Sequence, residues 1–212
     1  MKKIFFVVMA TLMLASCVKS PDQKAEALIK EQMQQTLYHP ETYAPSTTQV
    51  DSAFTPYDDP EFYEKTLKLA KLGMVIDKYS REAKSAKSSM SIWSGPYQCS
   101  FDRNEYQEAK EKYNNAISKK EQATKEAKAL GEELKKMFNE DSKFVGFKAT
   151  HTYRANNNAG QTVGGKALFL FDKDMKQIVA SYDMDGEEYK AVQYLWKMMN
   201  GENSMADEAT IE

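Results

Sequence analysis

Few side chains in this chain of 212 residues have the types and spacing that metal binding or nucleophilic catalysis requires. The two histidines, His39 and His151, lie far apart in the sequence, and the only cysteines are Cys17 and Cys99. A zinc site needs three or four clustered ligands, which these residues do not provide. Cys99 also has no histidine near it in the sequence that could act as a general base. The sequence therefore predicts no metal site, no cofactor and no catalytic residue.

The histidines and the acidic or glycine-rich segments fit structural roles better than they fit metal or phosphate binding. His151 falls on the apolar face of a predicted strand, where we expect a hydrogen-bonded core histidine, and His39 falls in the turn that ends the first predicted helix. The aspartates of 172–174 and 183–186 lack the ligand spacing of a calcium loop. The glycines of 160–165 lack the Gly-Lys-Ser/Thr of a phosphate loop. We interpret these segments as turns and helix caps.

The balance of charge does not favour a nucleic-acid partner. The formal net charge is −2 at pH 7, whereas nucleic-acid-binding domains are usually strongly basic. The lysines of 108–136 are compensated by glutamates three or four residues away, which is typical of a solvated helix surface. We expect no nucleic-acid binding.

The first seventeen residues contain the most specific pattern of the sequence. Lys2 and Lys3 precede an apolar run of roughly ten residues, the arrangement of a secretory signal. The run is too short to cross a bilayer, which needs about 20 apolar residues. Cys17 then follows Leu14-Ala15-Ser16 directly, and this motif resembles the lipobox of bacterial lipoproteins.

The lipobox resemblance implies both an anchor and a compartment. It implies that residues 1–16 are removed as a signal peptide and that Cys17 carries the acyl groups, with 17–22 as a short tether. Two or more acyl chains anchor a protein stably in a membrane. The resemblance therefore implies a lipid-anchored protein of the bacterial cell envelope. Val18 is not the aspartate that retains enteric lipoproteins in the inner membrane, which favours the outer membrane. Whether the protein faces the periplasm or the cell surface stays open.

Residues from Pro60 to Met137 show the heptad spacing of two long paired helices. Asp59 and Pro60 predict the start of the first helix, and Asp102 with Glu105 predicts a capping box for the second. Folding the chain back at 94–101 sets large residues against small ones, as a close antiparallel pair needs. Each arm would be about 50 Å long. The short turn favours an intrachain hairpin, and a coiled coil with a second copy, a homodimer, stays open.

The rest of the chain predicts the α+β fold class. The expected elements are a first helix over Gln23–Leu37, strands over Thr48–Phe54, Val145–Arg154, Ala167–Phe171 and Ile178–Tyr182, and a last helix capped by Asp185 with Glu188. We predict a four-stranded, mainly antiparallel sheet with both flanking helices on one face and a long inserted antiparallel helical hairpin. The predicted domains are a body of 23–58 and 140–200, a hairpin of 59–139 and an acidic tail of 201–212, whose composition predicts disorder.

Two segments of the body resemble signatures of a small module found in bacterial lipoproteins and secreted proteins. They are Leu37-Tyr38-His39-Pro40-Glu41-Thr42-Tyr43 after the first helix and Tyr153-Arg154-Ala155-Asn156-Asn157-Asn158-Ala159-Gly160 after a strand. The resemblance excludes the hairpin. It implies a compact α+β domain and assigns no activity.

Two surfaces are candidate contact sites. The first is the tip of the hairpin, where an exposed aromatic cluster would mark a protein interface; its residues are Trp93, Pro96, Tyr97 and Phe101. The second is an eleven-residue loop over 155–165, longer than a minimal hairpin turn needs. Its candidate ligand-binding residues are Asn156, Asn157, Asn158 and Gly160.

These patterns predict a membrane-anchored, non-catalytic adaptor that contacts another envelope protein. The alternative is a small-ligand or glycan-binding lipoprotein that uses the sheet face and the Asn/Gly-rich loop. An enzyme ranks third because no catalytic cluster is visible. With Cys17 acylated, Cys99 has no partner for an intramolecular disulfide, and its place at the tip leaves an intermolecular disulfide open.

Overall fold

The computed structural model of the chain describes residues 20–95 and 99–202. Within these residues the fold is α+β, as predicted, with a four-stranded antiparallel sheet and four helices. The elements in chain order are α1 (Pro21–Thr36), β1 (His39–Phe54), α2 (Pro60–Ile92), α3 (Ser100–Phe138), β2 (Phe144–Asn156), β3 (Thr162–Phe171), β4 (Ile178–Asp183) and α4 (Glu187–Met199). Outside the described residues lie the predicted signal peptide, Cys17, Pro96, Tyr97 and tail residues 203–212.

The four strands form a meander in which each strand pairs with its neighbours in the sequence. β3 lies between β2 and β4, as its apolar residues on both faces predict. β1 begins at His39, well before the predicted start at Thr48. The predicted strand was too short: Pro40 and Pro45 are unfavourable inside a central strand, but β1 is an edge strand, which tolerates proline. His39 is therefore a strand residue and not part of a helix-ending turn.

Helix α1 covers one face of the sheet. Ser20 and Gln23 form its capping box, with the Ser20 hydroxyl accepting from the Gln23 amide at 3.3 Å. Three buried residues at four-residue spacing line its inner side and pack against β2 and β3: Ala25, Ile29 and Met33. Burying a side chain such as Ile29 contributes about 1.5–3 kcal/mol.

Helix α4 and the base of the hairpin cover the opposite face. Trp196 of α4 packs with Phe62 and Leu134 of the hairpin, and its indole N–H donates to the buried Thr66 hydroxyl at 3.1 Å. The prediction that α1 and α4 share one face is therefore wrong. Successive side chains of a strand point to opposite faces. In β3, Phe169 and Phe171 are therefore buried under α1, while Leu168 points to the side of α4.

Helices α2 and α3 form the predicted long antiparallel hairpin. The Lys65 ammonium lies 3.1 Å from the Glu133 carboxylate, and the Lys119 ammonium lies 5.3 Å from the centroid of the Tyr79 ring. Small buried residues form the seam between the helices: Ala83, Ala86, Ala109, Ala116 and Ala123. This close spacing is the arrangement that the alternation of large and small residues predicts.

The helix starts differ in part from the prediction. Asp59 caps α2 as expected, accepting from the Glu61 amide at 2.8 Å. Helix α3 begins three residues earlier than predicted, because Asp102 is not the cap but accepts from the amide of the cap residue Cys99 at 2.9 Å. Helix α4 is capped by Gly186 and not by Asp185.

Candidate functional site

The tip of the hairpin brings two of its four predicted contact residues together. The rings of Trp93 and Phe101 meet edge to face, with centroids 5.8 Å apart. Ile92 lies next to them in the sequence and is 70% exposed, while Phe101 is 60% exposed. Sequence reasoning missed Ile92, because it falls outside the heptad seam. An isoleucine outside the seam at a helix end is the signal that would have found it.

Cys99 lies at the same tip and is exposed with a free thiol. Its backbone amide donates to the carboxylate of Asp102, and this bond fixes Cys99 as the N-cap residue that precedes α3. The intermolecular disulfide of Cys99 stays a prediction.

The predicted eleven-residue loop is instead a compact turn. β2 continues to Asn156 and β3 begins at Thr162, so the connection spans only 157–161. The Asn157 side-chain oxygen accepts from the amides of Ala159 and Gln161, at 3.0 Å each. Gly160 adopts a φ of 76°, a backbone conformation that favours glycine. The asparagines therefore stabilise the turn, and loop length no longer argues for ligand binding.

A cleft on the α4 side of the sheet was not predicted from the sequence. It has a volume of about 400 Å³ and lies between β2 and β3, α4 and the turn before α2. Its main lining residues are Tyr57, Asp58, Lys148, Thr150, Tyr189, Gln193, Trp196, Lys197 and Asn200. These residues come from three separate segments of the chain, so no local sequence motif could reveal the cleft.

A partly buried ion pair fixes one end of the cleft, which we call the α4 cleft. The Lys148 ammonium lies 3.0 and 2.8 Å from the two carboxylate oxygens of Asp58, which is only 8% exposed. Asp58 also accepts from the Phe54 amide at 2.9 Å. With three such bonds, Asp58 positions the β1–α2 turn against the sheet.

The aromatic wall of the α4 cleft is held in place by packing and by one short hydrogen bond. Tyr57 donates to the side-chain oxygen of Asn200 at 2.6 Å, and its ring centroid lies 5.1 Å from that of Trp196. Burial raises the pKa of both Tyr57 and Tyr189 above the ordinary tyrosine value. Both hydroxyls therefore stay protonated, as hydrogen-bond donors, at neutral pH.

His151 lies on the opposite face of the sheet, beside a smaller cavity of about 290 Å³. It is 1% exposed, and its ring nitrogens lie 2.8 Å from the Tyr43 hydroxyl and 3.0 Å from the Thr48 hydroxyl. The prediction of a hydrogen-bonded core histidine is therefore confirmed. With both nitrogens engaged, His151 has no ring nitrogen left for a metal or a substrate.

Within 20–95 and 99–202, no three metal-binding side chains cluster. In the same part of the chain, no helix is long and apolar enough to span a bilayer.

No protein-family model, curated protein sequence or solved structure matches the chain.

Proposed function

We propose that this chain is a lipid-anchored, non-catalytic adaptor of the bacterial cell envelope, and that the tip of its hairpin contacts a partner protein. The support is the combination of the lipobox-like sequence at Cys17 with a projecting helical arm that ends in exposed apolar side chains. The proposal concerns the two ends of the protein, one facing a membrane and the other facing a partner.

The carrying observation is the isolation of the hairpin tip. Contacts with the body involve the base of the hairpin: Phe62 and Leu134 pack against α4, and Lys71 pairs with Glu188 of α4 at 2.7 Å. Beyond Leu72 the buried seam lies between α2 and α3 alone. The twenty residues from Gly73 to Ile92 extend about 30 Å at 1.5 Å per residue.

The chemistry of the tip favours a protein partner with an apolar pocket. Ile92 and Phe101 are both mostly exposed, and Phe101 lies against the ring of Trp93. The buried residues of the hairpin nearest the tip are the small Ala86 and Ala109, so the seam there offers little room for larger side chains. Aromatic side chains grouped in this way are typical of the few residues that dominate binding energy at protein interfaces.

The anchor makes a weak tip contact sufficient. Acyl groups on Cys17 would confine the protein to a membrane surface, and a tether of 17–22 would hold the body close to it. Confinement raises the effective concentration of the tip near partners in the same envelope. A contact of modest area can then be occupied without high intrinsic affinity.

In-cell photo-crosslinking tests the proposal. A photo-reactive amino acid replaces the exposed Asn104, one helical turn from Phe101, and a control replaces the exposed Lys125 on the same helix, far from the tip. We expect one discrete crosslinked protein from position 104 and none from position 125. The combined variant Ile92→Ser, Phe101→Ser should abolish the product without changing thermal stability, since exposed substitutions rarely change stability by more than about 0.5 kcal/mol.

A matched control removes two apolar side chains of similar exposure elsewhere. Val163 and Val179 on the sheet are 45% and 47% exposed, so the variant Val163→Ser, Val179→Ser should keep the crosslink. A product that persists in the tip variant would overturn the proposal. A crosslinked product that contains only two copies of this chain would show that the tip forms a homodimer interface and not an adaptor contact.

A further inference from the structure

We propose that the α4 cleft binds a neutral saccharide of one or two rings. The cleft lies on the body, at the end of the molecule opposite the hairpin tip, so this inference does not depend on the adaptor function. Its volume of about 400 Å³ falls within the 300–1,000 Å³ that small-ligand sites usually have.

The cleft presents polar groups that no other described residue engages. Within the described residues, the side chains of Thr150 and Gln193 have no hydrogen-bond partner. Asn200 accepts from Tyr57 through its oxygen, which leaves its amide N–H groups available. A hydroxyl and a carboxamide each both donate and accept, and sugar hydroxyls need partners that do both.

The charges that line the cleft favour a neutral ligand. Lys148 is neutralised by Asp58, with which it makes two short contacts. Lys197 and Glu202 also line the cleft with opposite charges, so its four charged side chains sum to a formal charge of zero. An anion would meet two carboxylates at close range, and like charges in a partly buried site repel strongly.

The apolar wall suits the C–H face of a sugar ring. Tyr57, Tyr189 and Trp196 form one side of the cleft, and Leu168 and Met184 add aliphatic surface. Trp196 is fixed by its bond to Thr66, and Tyr57 by its bond to Asn200. A wall of this kind is already organised before a ligand arrives, which lowers the entropy lost on binding.

Calorimetric titration of the full acylated chain tests the inference. The protein is kept in a detergent without a sugar head group, and the probes are glucose, N-acetylglucosamine and the β-1,4-linked disaccharide of the latter. We expect at least one of them to bind, and binding to change little with salt, because a neutral ligand releases no counterions. Gln193→Leu should weaken it about five- to tenfold, the effect of losing one buried hydrogen bond.

Two further variants separate a specific cleft from other causes. Gln107→Leu removes an equally polar but exposed side chain from the hairpin and should leave affinity unchanged. Lys197→Met should change saccharide affinity much less than Gln193→Leu does. Binding of sulfate or of the zwitterion glycylglycine in place of the saccharides, or no binding by any of the three sugars, would overturn the inference. None of these results bears on the crosslink at the hairpin tip.

Discussion

The Tyr43 hydroxyl lies 2.8 Å from Nε2 of His151, across the pairing of the edge strand β1 with β2. The Thr48 hydroxyl lies 3.0 Å from Nδ1 of the same ring. Two hydroxyls, each able to donate or accept, satisfy a neutral imidazole completely. The site is therefore built for an uncharged histidine, and protonation of His151 at low pH should destabilise the fold.

The first prediction is that the protein loses stability as pH falls from about 7 to 5. Burial lowers the pKa of His151, although a backbone hydrogen bond at Thr47 and the charge of Glu26 act in the opposite direction. The unfolded chain has the ordinary histidine pKa of about 6.5, so it binds more protons than the folded chain once pH drops below that value. The stability that neutral His151 contributes is present above pH 6.5 and is lost as pH falls toward its lower folded pKa.

Thermal melts at pH 7 and pH 5 measure this effect. His151→Gln should melt at a lower temperature than wild type at pH 7 but lose less between the two pH values. His39→Gln is the control, because the His39 side chain is 40% exposed and pairs with the exposed Glu41, and it should keep the wild-type pH dependence. Glu26 and Lys30 also line the cavity beside His151. Equal losses for wild type and His151→Gln would assign the pH dependence to other groups.

The second prediction concerns Gly165, which pairs with Tyr153 between β3 and β2. A Cβ at position 165 would lie only 2.6 Å from Cζ of the Tyr153 ring. The ring cannot easily move, because it stacks on His151 with centroids 5.8 Å apart and also contacts Tyr43. We expect Gly165→Ala to lower the free energy of unfolding by about 1–3 kcal/mol, as overpacking usually does.

Gly164→Ala is the matched control for Gly165→Ala in urea denaturation. A Cβ at the neighbouring position 164 would meet only the Tyr153 carbonyl oxygen, at 4.0 Å, an ordinary contact. We therefore expect Gly164→Ala to be neutral or slightly stabilising, because alanine restricts the unfolded chain. In a Tyr153→Ala background, Gly165→Ala should lose most of its effect. Equal effects of the two alanines in wild type would refute the steric argument.

The long-range order of the hairpin could be predicted because its signal is repetitive. Heptad spacing fixes which side of each helix is buried, and the turn after Ile92 fixes which residues face each other. The starts of α3 and α4 could not be predicted so well. Aspartate stabilises a helix both as its cap and three residues later, so Asp102 is compatible with two starts. Only the bond from the Cys99 amide distinguishes them.

The sheet shows a different limit of sequence reasoning. β3 is apolar on both sides, which predicts a central strand but does not say which helix covers which side. The α4 cleft depends on that assignment, because Thr150 and Leu168 line it only once α4 packs on their side of the sheet. Lys148 and Asp58 are also far apart in the sequence, and nothing local links them. The candidate ligand site was therefore visible only in three dimensions.

The third prediction is that Cys17 carries the anchor. Metabolic labelling with an alkyne fatty acid should mark the wild-type protein and fail to mark Cys17→Ala, because alanine has no thiol to acylate. Membrane fractionation is paired with the label, since an unprocessed precursor keeps its signal peptide, residues 1–16, which can associate with the inner membrane without spanning it as a mature anchor. The label and the loss of the protein from the outer-membrane fraction should therefore be measured together.

Cys99→Ala is the control for Cys17→Ala, since Cys99 is the other cysteine of the chain and has an exposed thiol. It should keep the fatty-acid label and the wild-type location. Limited proteolysis should give the same pattern for both variants and wild type, because the body and the hairpin rest on the packing of Ile29, Phe62 and Trp196 and not on the N-terminus. A label that survives in Cys17→Ala, or that is lost in Cys99→Ala, would move the anchor away from the lipobox and remove the membrane from the proposed function.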